Sequence, residues 1–394
     1  LTEEESFQVL SARALAMGMQ LNEPSIRTLM ALPRRFSSAT PPPGSALQLL
    51  THVKNYAADK ARIGEATAIT PLFIQRVFSI YSGLPLFVVS DETSKTSNEI
   101  RDWFRDRLIG QTEAISAVVE AITLFKAGLN DPTRPLGTFL FVGPTGVGKT
   151  ELARALATFL FGSVHRLLRF DLSEFGQYDS VNRLIGHPRD SNTPAELLDP
   201  VRANPFQVIL LDEIEKAHQQ VWDLLLPLLD DGRLTPPGGV AVNFRNTIII
   251  CTANVGAQFA NRSLGFGGAE QQGESSARIL DAVRAEFRPE LLNRFQHIVV
   301  FHSLNRAQIR QIARLELERI LIRDGITSRN LVVDVQDSAI DHIIETGYDA
   351  RYGARALKRE IQSHLVLPLA MALMERAPES GSILAVTYDG DKIR

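Results

Sequence analysis

A chain of 394 residues with 44% hydrophobic and 22% charged side chains is long enough for two or three cores and too apolar for wholesale disorder. Its 42 Lys and Arg against 45 Asp and Glu leave a net charge of −3, which argues against a dedicated nucleic-acid binder. No apolar run approaches the roughly 18 residues that cross a bilayer, so no membrane partner is expected, and the single cysteine, Cys251, fits a reducing, cytoplasmic setting.

The chain opens on Leu1-Thr-Glu-Glu-Glu, without a Met or a signal pattern, and reads as cut from something longer upstream. Residues 1–89 carry helical spacing: Phe7, Val9, Leu10, Ala14 and Leu15, then Ile26, Leu29 and Met30. Pro41-Pro42-Pro43-Gly44 interrupts, and a helix through Leu47, Leu50 and Val53 follows. Thr70-Pro71 predicts an N-cap and first-turn proline, with a stop near Gly83. The polar run Ser90–Asn98 reads as a linker. Beyond it, strand-length apolar runs at Thr138–Val142, Leu167–Phe170, Val208–Leu211 and Thr247–Cys251 alternate with helical stretches, which predicts an α/β fold with a parallel sheet flanked by helices. A helix over Asn305–Arg323, a short strand near Leu331–Val335, a further helix and a last strand over Ile383–Tyr388 complete a smaller α+β unit. The predicted units are 1–89, 90–302 and 303–394.

Three motifs carry chemistry. Gly143-Pro144-Thr145-Gly146-Val147-Gly148-Lys149-Thr150 sits between an apolar strand and a helix expected from Glu151 to Phe161, the context a phosphate-binding loop requires. Its backbone N–H groups and helix N-terminus suit phosphates, Lys149 supplies charge, and the Thr150 hydroxyl suits Mg2+. The strand Val208–Leu211 delivers Asp212, a second candidate Mg2+ ligand, and Glu213, suited to activate water. Thr252-Ala253-Asn254 ends the next strand with a carboxamide that could meet a phosphate or the attacking water. The expected cofactors are ATP/ADP and Mg2+. The histidines show no metal-ligand spacing, so no zinc site is expected.

In order along the chain, RPLGTFLFVGPTGVGKTEL (134–152), VILLDEIEKAH (208–218), DDGRLT (230–235), FRPELLNRF (287–295) and YGARALKREIQ (352–362) resemble the second ATPase module of the Clp/Hsp-hundred AAA+ unfoldases of the ClpB and ClpC kind. PLFIQRVFSIYSGLPL (71–86) resembles the lid subdomain that closes those proteins' first module. The resemblance covers most of residues 100–394 and implies an AAA+ P-loop fold with a small C-terminal lid and an N-terminal lid fragment. It implies that Leu108 and Ile109 line the adenine pocket, Glu151 follows the phosphate loop, Asn254 is sensor 1, Arg294 is an arginine finger and Arg355 is sensor 2. A finger acting on a neighbour implies a ring, expected to be a hexamer. The implied function is ATP-driven remodelling or unfolding of protein substrates.

Two stretches depart from or add to that pattern. Where the family carries an aromatic pore loop, this sequence has Leu184-Ile-Gly186-His187-Pro-Arg189-Asp-Ser-Asn192-Thr-Pro194, with no aromatic to grip a threaded chain. That keeps open a scaffold whose nucleotide cycle sets assembly without threading. Leu264-Gly265-Phe266 lies where protease-coupled relatives carry a tripeptide for the ClpP barrel, which keeps a ClpP-like partner open as well.

Overall fold

The computed structural model describes residues 2–36, 43–65, 68–90, 95–187, 194–236, 239–256, 269–347, 353–376 and 380–390. The segment Pro188–Thr193 of the expected pore loop and the Leu264–Phe266 tripeptide lie outside the described residues.

The N-terminal helices run over Glu3–Ala16, Glu23–Phe36, Gly44–Arg62 and Pro71–Ser82. Local chemistry sets their ends. Thr2 and Glu5 form a reciprocal capping box, and the Thr70 hydroxyl accepts from Phe73 N–H at 3.2 Å with Pro71 behind it. Gly83 closes the last helix at φ 74°, a conformation that favours glycine. Leu10 and Ala14, four residues apart, face the interior, whereas Val9 and Leu15, expected on the same face, are exposed. At 100° per residue both lie well off the Leu10–Ala14 line.

Five parallel strands form the central sheet: β1 (Gly137–Val142), β2 (Leu167–Asp171), β3 (Gln207–Asp212), β6 (Thr247–Ala253) and β7 (His297–Val300), in the order β2-β3-β6-β1-β7. A short antiparallel pair, β4 (Arg233–Leu234) with β5 (Val242–Asn243), stands apart from it. Strands β1, β3 and β6 are buried along their whole length, so apolar residues run unbroken through each, over Phe139–Val142, Val208–Leu211 and Ile248–Cys251, rather than alternating with polar ones. The two-residue period survives in where side chains go. Phe139, Phe141, Val208, Leu210, Ile248 and Ile250 join the core on one face, and Leu140, Val142, Ile209, Leu211, Ile249 and Cys251 join the core on the other.

The N-terminal helices are not set off behind a linker. Their apolar core is continuous with the first face of the sheet. Phe36 meets Phe125 edge-on at 5.8 Å and Phe78 at 5.6 Å, Phe87 packs on Phe159 at 4.8 Å, and Asn246 Nδ2 donates to the Phe36 carbonyl at 3.1 Å. The expected linker is also shorter than read, because Thr96 and Glu99 make a capping box that starts a helix at Ser97–Arg105. The last unit has a core of its own, running from Leu304 to Val386. Its helix Arg306–Leu321 is capped by Asn305, and β8 (Val332–Val335) pairs in parallel with β9 (Ile383–Val386). Among the described residues no helix is long and apolar enough to cross a membrane.

Phe36→Ala should lower stability by about 3–5 kcal/mol, because the ring is 1% exposed and joins two layers of core. Leu15→Ala, at 68% exposure, should move it by less than about 0.5 kcal/mol. Denaturant unfolding midpoints check both, and equal effects would contradict this packing.

Candidate active site

At the carboxyl ends of β1, β3 and β6 the chain forms an open-sided cavity of about 380 Å3. Its lining includes Leu108, Ile109, Thr145 to Glu151, Asp212, Glu213, Asn254 and Arg355, so most of the residues expected from sequence converge there. The helix after the loop begins at Lys149, two residues before its expected start, and no side chain caps it at Gly148. The first N–H groups of such a helix have no partner within it and point into the cavity end. Gly143 and Pro144 stand outside the lining. Gly143, at φ 142°, lies where an added Cβ would come within 2.4 Å of the Phe301 carbonyl oxygen, so its small size lets β1 turn into the loop beside β7. Gly148, at φ 113°, would bring a Cβ to 2.6 Å from Leu108 Cδ1. Leu108 therefore sits directly on the loop.

Lys149 is the centre of charge. Its side chain is buried, and its Nζ donates to the carbonyls of Gly143 at 2.5 Å and Ala253 at 3.0 Å and to Asn254 Oδ1 at 2.8 Å. Burial lowers its pKa to about 8, partly offset by the negative charges of Glu215 and Asp212. Asn254 turns its other end to Glu213, with Nδ2 donating to Oε1 at 3.2 Å. Only this amide orientation serves both the ammonium and the carboxylate.

Asp212 is 7% exposed and has both oxygens engaged: the Thr252 hydroxyl donates to one, and Arg169 Nη2 donates to the other at 2.7 Å. Glu213 follows in the left-handed region at φ 60°, a conformation costing a non-glycine residue roughly 1–3 kcal/mol. It pairs with Lys216, and its N–H donates to Thr252 Oγ1 at 3.1 Å. Two strand ends are thus cross-linked by side chains.

The C-terminal unit roofs the cavity with Leu304, Ile312, Leu315 and Arg355. It docks on the phosphate loop itself: Ala354 N–H donates to the Gly146 carbonyl at 3.0 Å, and a Cβ at Gly353 would come within 2.8 Å of that oxygen. Arg319 adds an ion pair to Glu151 at 3.2 Å. From the other side, Gln111 Nε2 donates to the carbonyls of Val147 at 3.2 Å and His302 at 2.9 Å. Arg169, Ile312, Leu315 and Arg319 carry no motif signal, because each reaches the site from a distant segment, and Gln111 and Thr252 stand beside singled-out residues without a role read for them.

Arg294 is elsewhere. Its carbonyl accepts from Thr138 Oγ1 at 3.2 Å, which puts it beside the start of β1, the end opposite the phosphate loop. Its guanidinium pairs with Asp230.

The residues present fit a phosphate chain with a divalent cation. Orphan helix donors and a buried ammonium suit the anion. The Thr150 hydroxyl and Asp212 carboxylate are hard oxygen donors suited to Mg2+. Among the described residues no His, Cys, Asp and Glu are grouped in threes that could hold a metal ion.

Residues 134–298 match the family described as AAA domain (Cdc48 subfamily), and residues 304–386 match the C-terminal, D2-small domain, of ClpB protein. The chaperone protein ClpB of Rhodopirellula baltica is 42% identical over 327 residues, covering 82% of this chain and 37% of that protein. The ATP-dependent Clp protease ATP-binding subunit ClpC of Staphylococcus aureus is 40% identical over 342 residues, covering 85% of this chain and 42% of that protein. The chain thus spans less than half the length of either relative. Among solved structures, the S. cerevisiae Hsp104–ADP complex superposes with a TM-score of 0.82 at 29% identity, over 99% of this chain and 68% of that one. Hsp104 with ATPγS and FITC casein gives 0.80 at 29% identity, over 98% of this chain and 66% of that one.

A phosphate chain placed beside Lys149 should restore its full charge. Between pH about 8 and 10 the free protein holds less than one proton there, so binding ADP should take up protons. Calorimetry in buffers of different ionisation enthalpy measures this, and Lys149→Met should lower the affinity and abolish the uptake. Uptake unchanged in that variant would assign the proton to another group.

Proposed function

The chain belongs to the Clp/Hsp-hundred family of AAA+ ATPases, and from that premise we propose that it hydrolyses ATP to drive remodelling of protein substrates within a ring. Residues 1–89 would be the lid of an upstream ATPase module, 90–302 the large ATP-binding subdomain and 303–394 its small lid. The observation that carries the reading is Lys149, a buried ammonium beside two acids and an uncapped helix N-terminus.

Each residue's task follows from its chemistry. Leu108 and Ile109, with Ile312 and Leu315 opposite, offer apolar walls for an adenine. Lys149 and the loop N–H groups hold phosphates, and Arg355 adds charge from the small lid. Thr150 and Asp212 would hold Mg2+, which supplies charge neutralisation between the phosphates when bound. Each Asp212 oxygen accepts one hydrogen bond, from Arg169 or Thr252, and keeps a second lone pair that could face the ion. Glu213 orients and deprotonates water, and Asn254 keeps that carboxylate in register with Lys149.

Assembly is part of the proposal. Arg294 is at the far end of β1 from its own chain's phosphate loop, so as a finger it would serve a neighbour, with Asp230 aiming it. On the last helix, Leu367, Met371 and Met374 follow one another on one face and are exposed, which suits a packed interface between subunits. We take the ring to be a hexamer in the cytoplasm, as is usual for the family.

The segment between Gly186 and Pro194 has no aromatic, which favours a second reading in which this ring powers assembly while an upstream ring grips substrate. A ClpP-like partner rests on Leu264–Phe266 in the sequence alone.

Glu213→Gln should bind ATP as the parent does and lose turnover by at least about 100-fold, whereas Lys149→Ala should lose nucleotide binding itself. Fluorescent-nucleotide titration and phosphate release measure the two. Parent-level turnover by the Gln variant would remove Glu213 from its role, and binding with no turnover in the parent would favour the scaffold.

A further inference from the structure

Glu215 is a half-buried acid that no step above uses. It lies in the short turn Ile214–Lys216 that follows the strained Glu213. Its Oε1 accepts the backbone N–H of Asn254 at 3.1 Å, from the end of β6. Its Oε2 is buried with no hydrogen-bond partner among the described residues. Burial raises its pKa, against hydrogen bonds from its own backbone and from Asn254.

The position explains the contact. The ladder between β3 and β6 ends at Leu211 and Cys251. Past that point two backbone N–H groups would lose their ladder partners at the edge of the cavity. Side chains replace the ladder reciprocally: Thr252 Oγ1 takes the N–H of Glu213, and Glu215 Oε1 takes the N–H of Asn254. A third link, Asn254 Nδ2 to Glu213 Oε1, closes the figure. Below it the turn is anchored by Ile214, which is fully buried and whose carbonyl accepts from Trp222 Nε1 at 2.9 Å.

We propose that Glu215 is a positioning residue for hydrolysis, tying the backbone of Asn254 to the turn that carries Glu213 so that the two polar side chains hold one register. The inference rests on the hydrolysis reading of Glu213 and Asn254 given above. What matters is the acceptor at the end of a three-carbon reach, not the negative charge. An amide of the same length still presents an oxygen to the Asn254 N–H, so it keeps the contact. A carboxylate one methylene shorter, retracted by roughly 1.5 Å, keeps the charge and leaves the Asn254 N–H out of range.

Charge and contact separate in two variants of the full chain. Glu215→Gln should hold kcat within about threefold of the parent, while Glu215→Asp should lose about 10- to 100-fold in kcat with KM within about threefold. Fluorescent ADP should bind both variants as it binds the parent, which also shows that they are folded. A Glu215→Asp protein with parent kcat overturns the proposal, and so does a Gln variant as impaired as the Asp variant. Glu213→Gln, run beside them, keeps the two levels apart. If it is inactive while Glu215→Asp is fully active, this inference alone fails; if it turns over at the parent rate, the hydrolysis reading and this inference fail together.

Discussion

A lysine ammonium buried without an anion is expensive, and the way this chain accommodates Lys149 organises the site. All three of its N–H donors are used, by the carbonyl where β1 ends, the carbonyl where β6 ends and the amide of Asn254. Those acceptors are neutral, so they solvate the charge without cancelling it. Their convergence fixes the phosphate loop against the centre of the sheet, where the topology brings the carboxyl ends of β3, β6 and β1 side by side. The acids sit one strand further over, close enough to bias the lysine toward its charged form. An arriving phosphate can exchange for these neutral partners and gain a charge-assisted contact.

The same arrangement makes the cavity sensitive to its surroundings. The small C-terminal unit touches the loop by backbone at Gly146 and by charge at Glu151, so a change in loop conformation on filling reaches the lid without an intermediary. The N-terminal helices share core with helix Thr112–Ala127 and helix Lys149–Phe161 through Phe36 and Phe87, so the lid fragment of the proposed upstream module is mechanically joined to this one. Arg294 is the exception to this convergence. Held by Asp230 beside the start of β1, it cannot reach the cavity of its own chain, and the charge it carries would serve a second subunit.

Much of this was legible in sequence where the cause is local. Thr70-Pro71 and Gly83 bound a helix by rules that need only the neighbouring residues. The phosphate loop and the Asp212-Glu213 pair follow strands whose unbroken apolar runs already say that both faces are covered. Strand β7 was not anticipated, because His297–Val300 is a short edge strand following directly on the helical pattern of Pro289–Leu292. The polar run before residue 98 concealed a capping box that starts a helix, since the same residue types favour loops and N-caps. Arg169, Gln111, Ile312 and Arg319 were illegible for a different reason. Gln111 follows Ile109 by two residues but its side-chain contacts do not show in the sequence, nothing near the other three marks them, and only the folded topology brings them to the cavity. Glu215 stood inside a recognised motif, yet its contact with Asn254 depends on where the β3–β6 ladder stops.

The central claim is that the site is built around Lys149 in one chain and completed by Arg294 from another. Phosphate release per subunit, followed against chain concentration with sedimentation in parallel, tests it most directly when repeated on an equimolar mixture of Arg294→Ala and Lys149→Ala chains. The account predicts a specific rate that rises as the ring forms, and a mixture that recovers activity neither variant has alone. A rate independent of concentration, with no recovery on mixing, would contradict it.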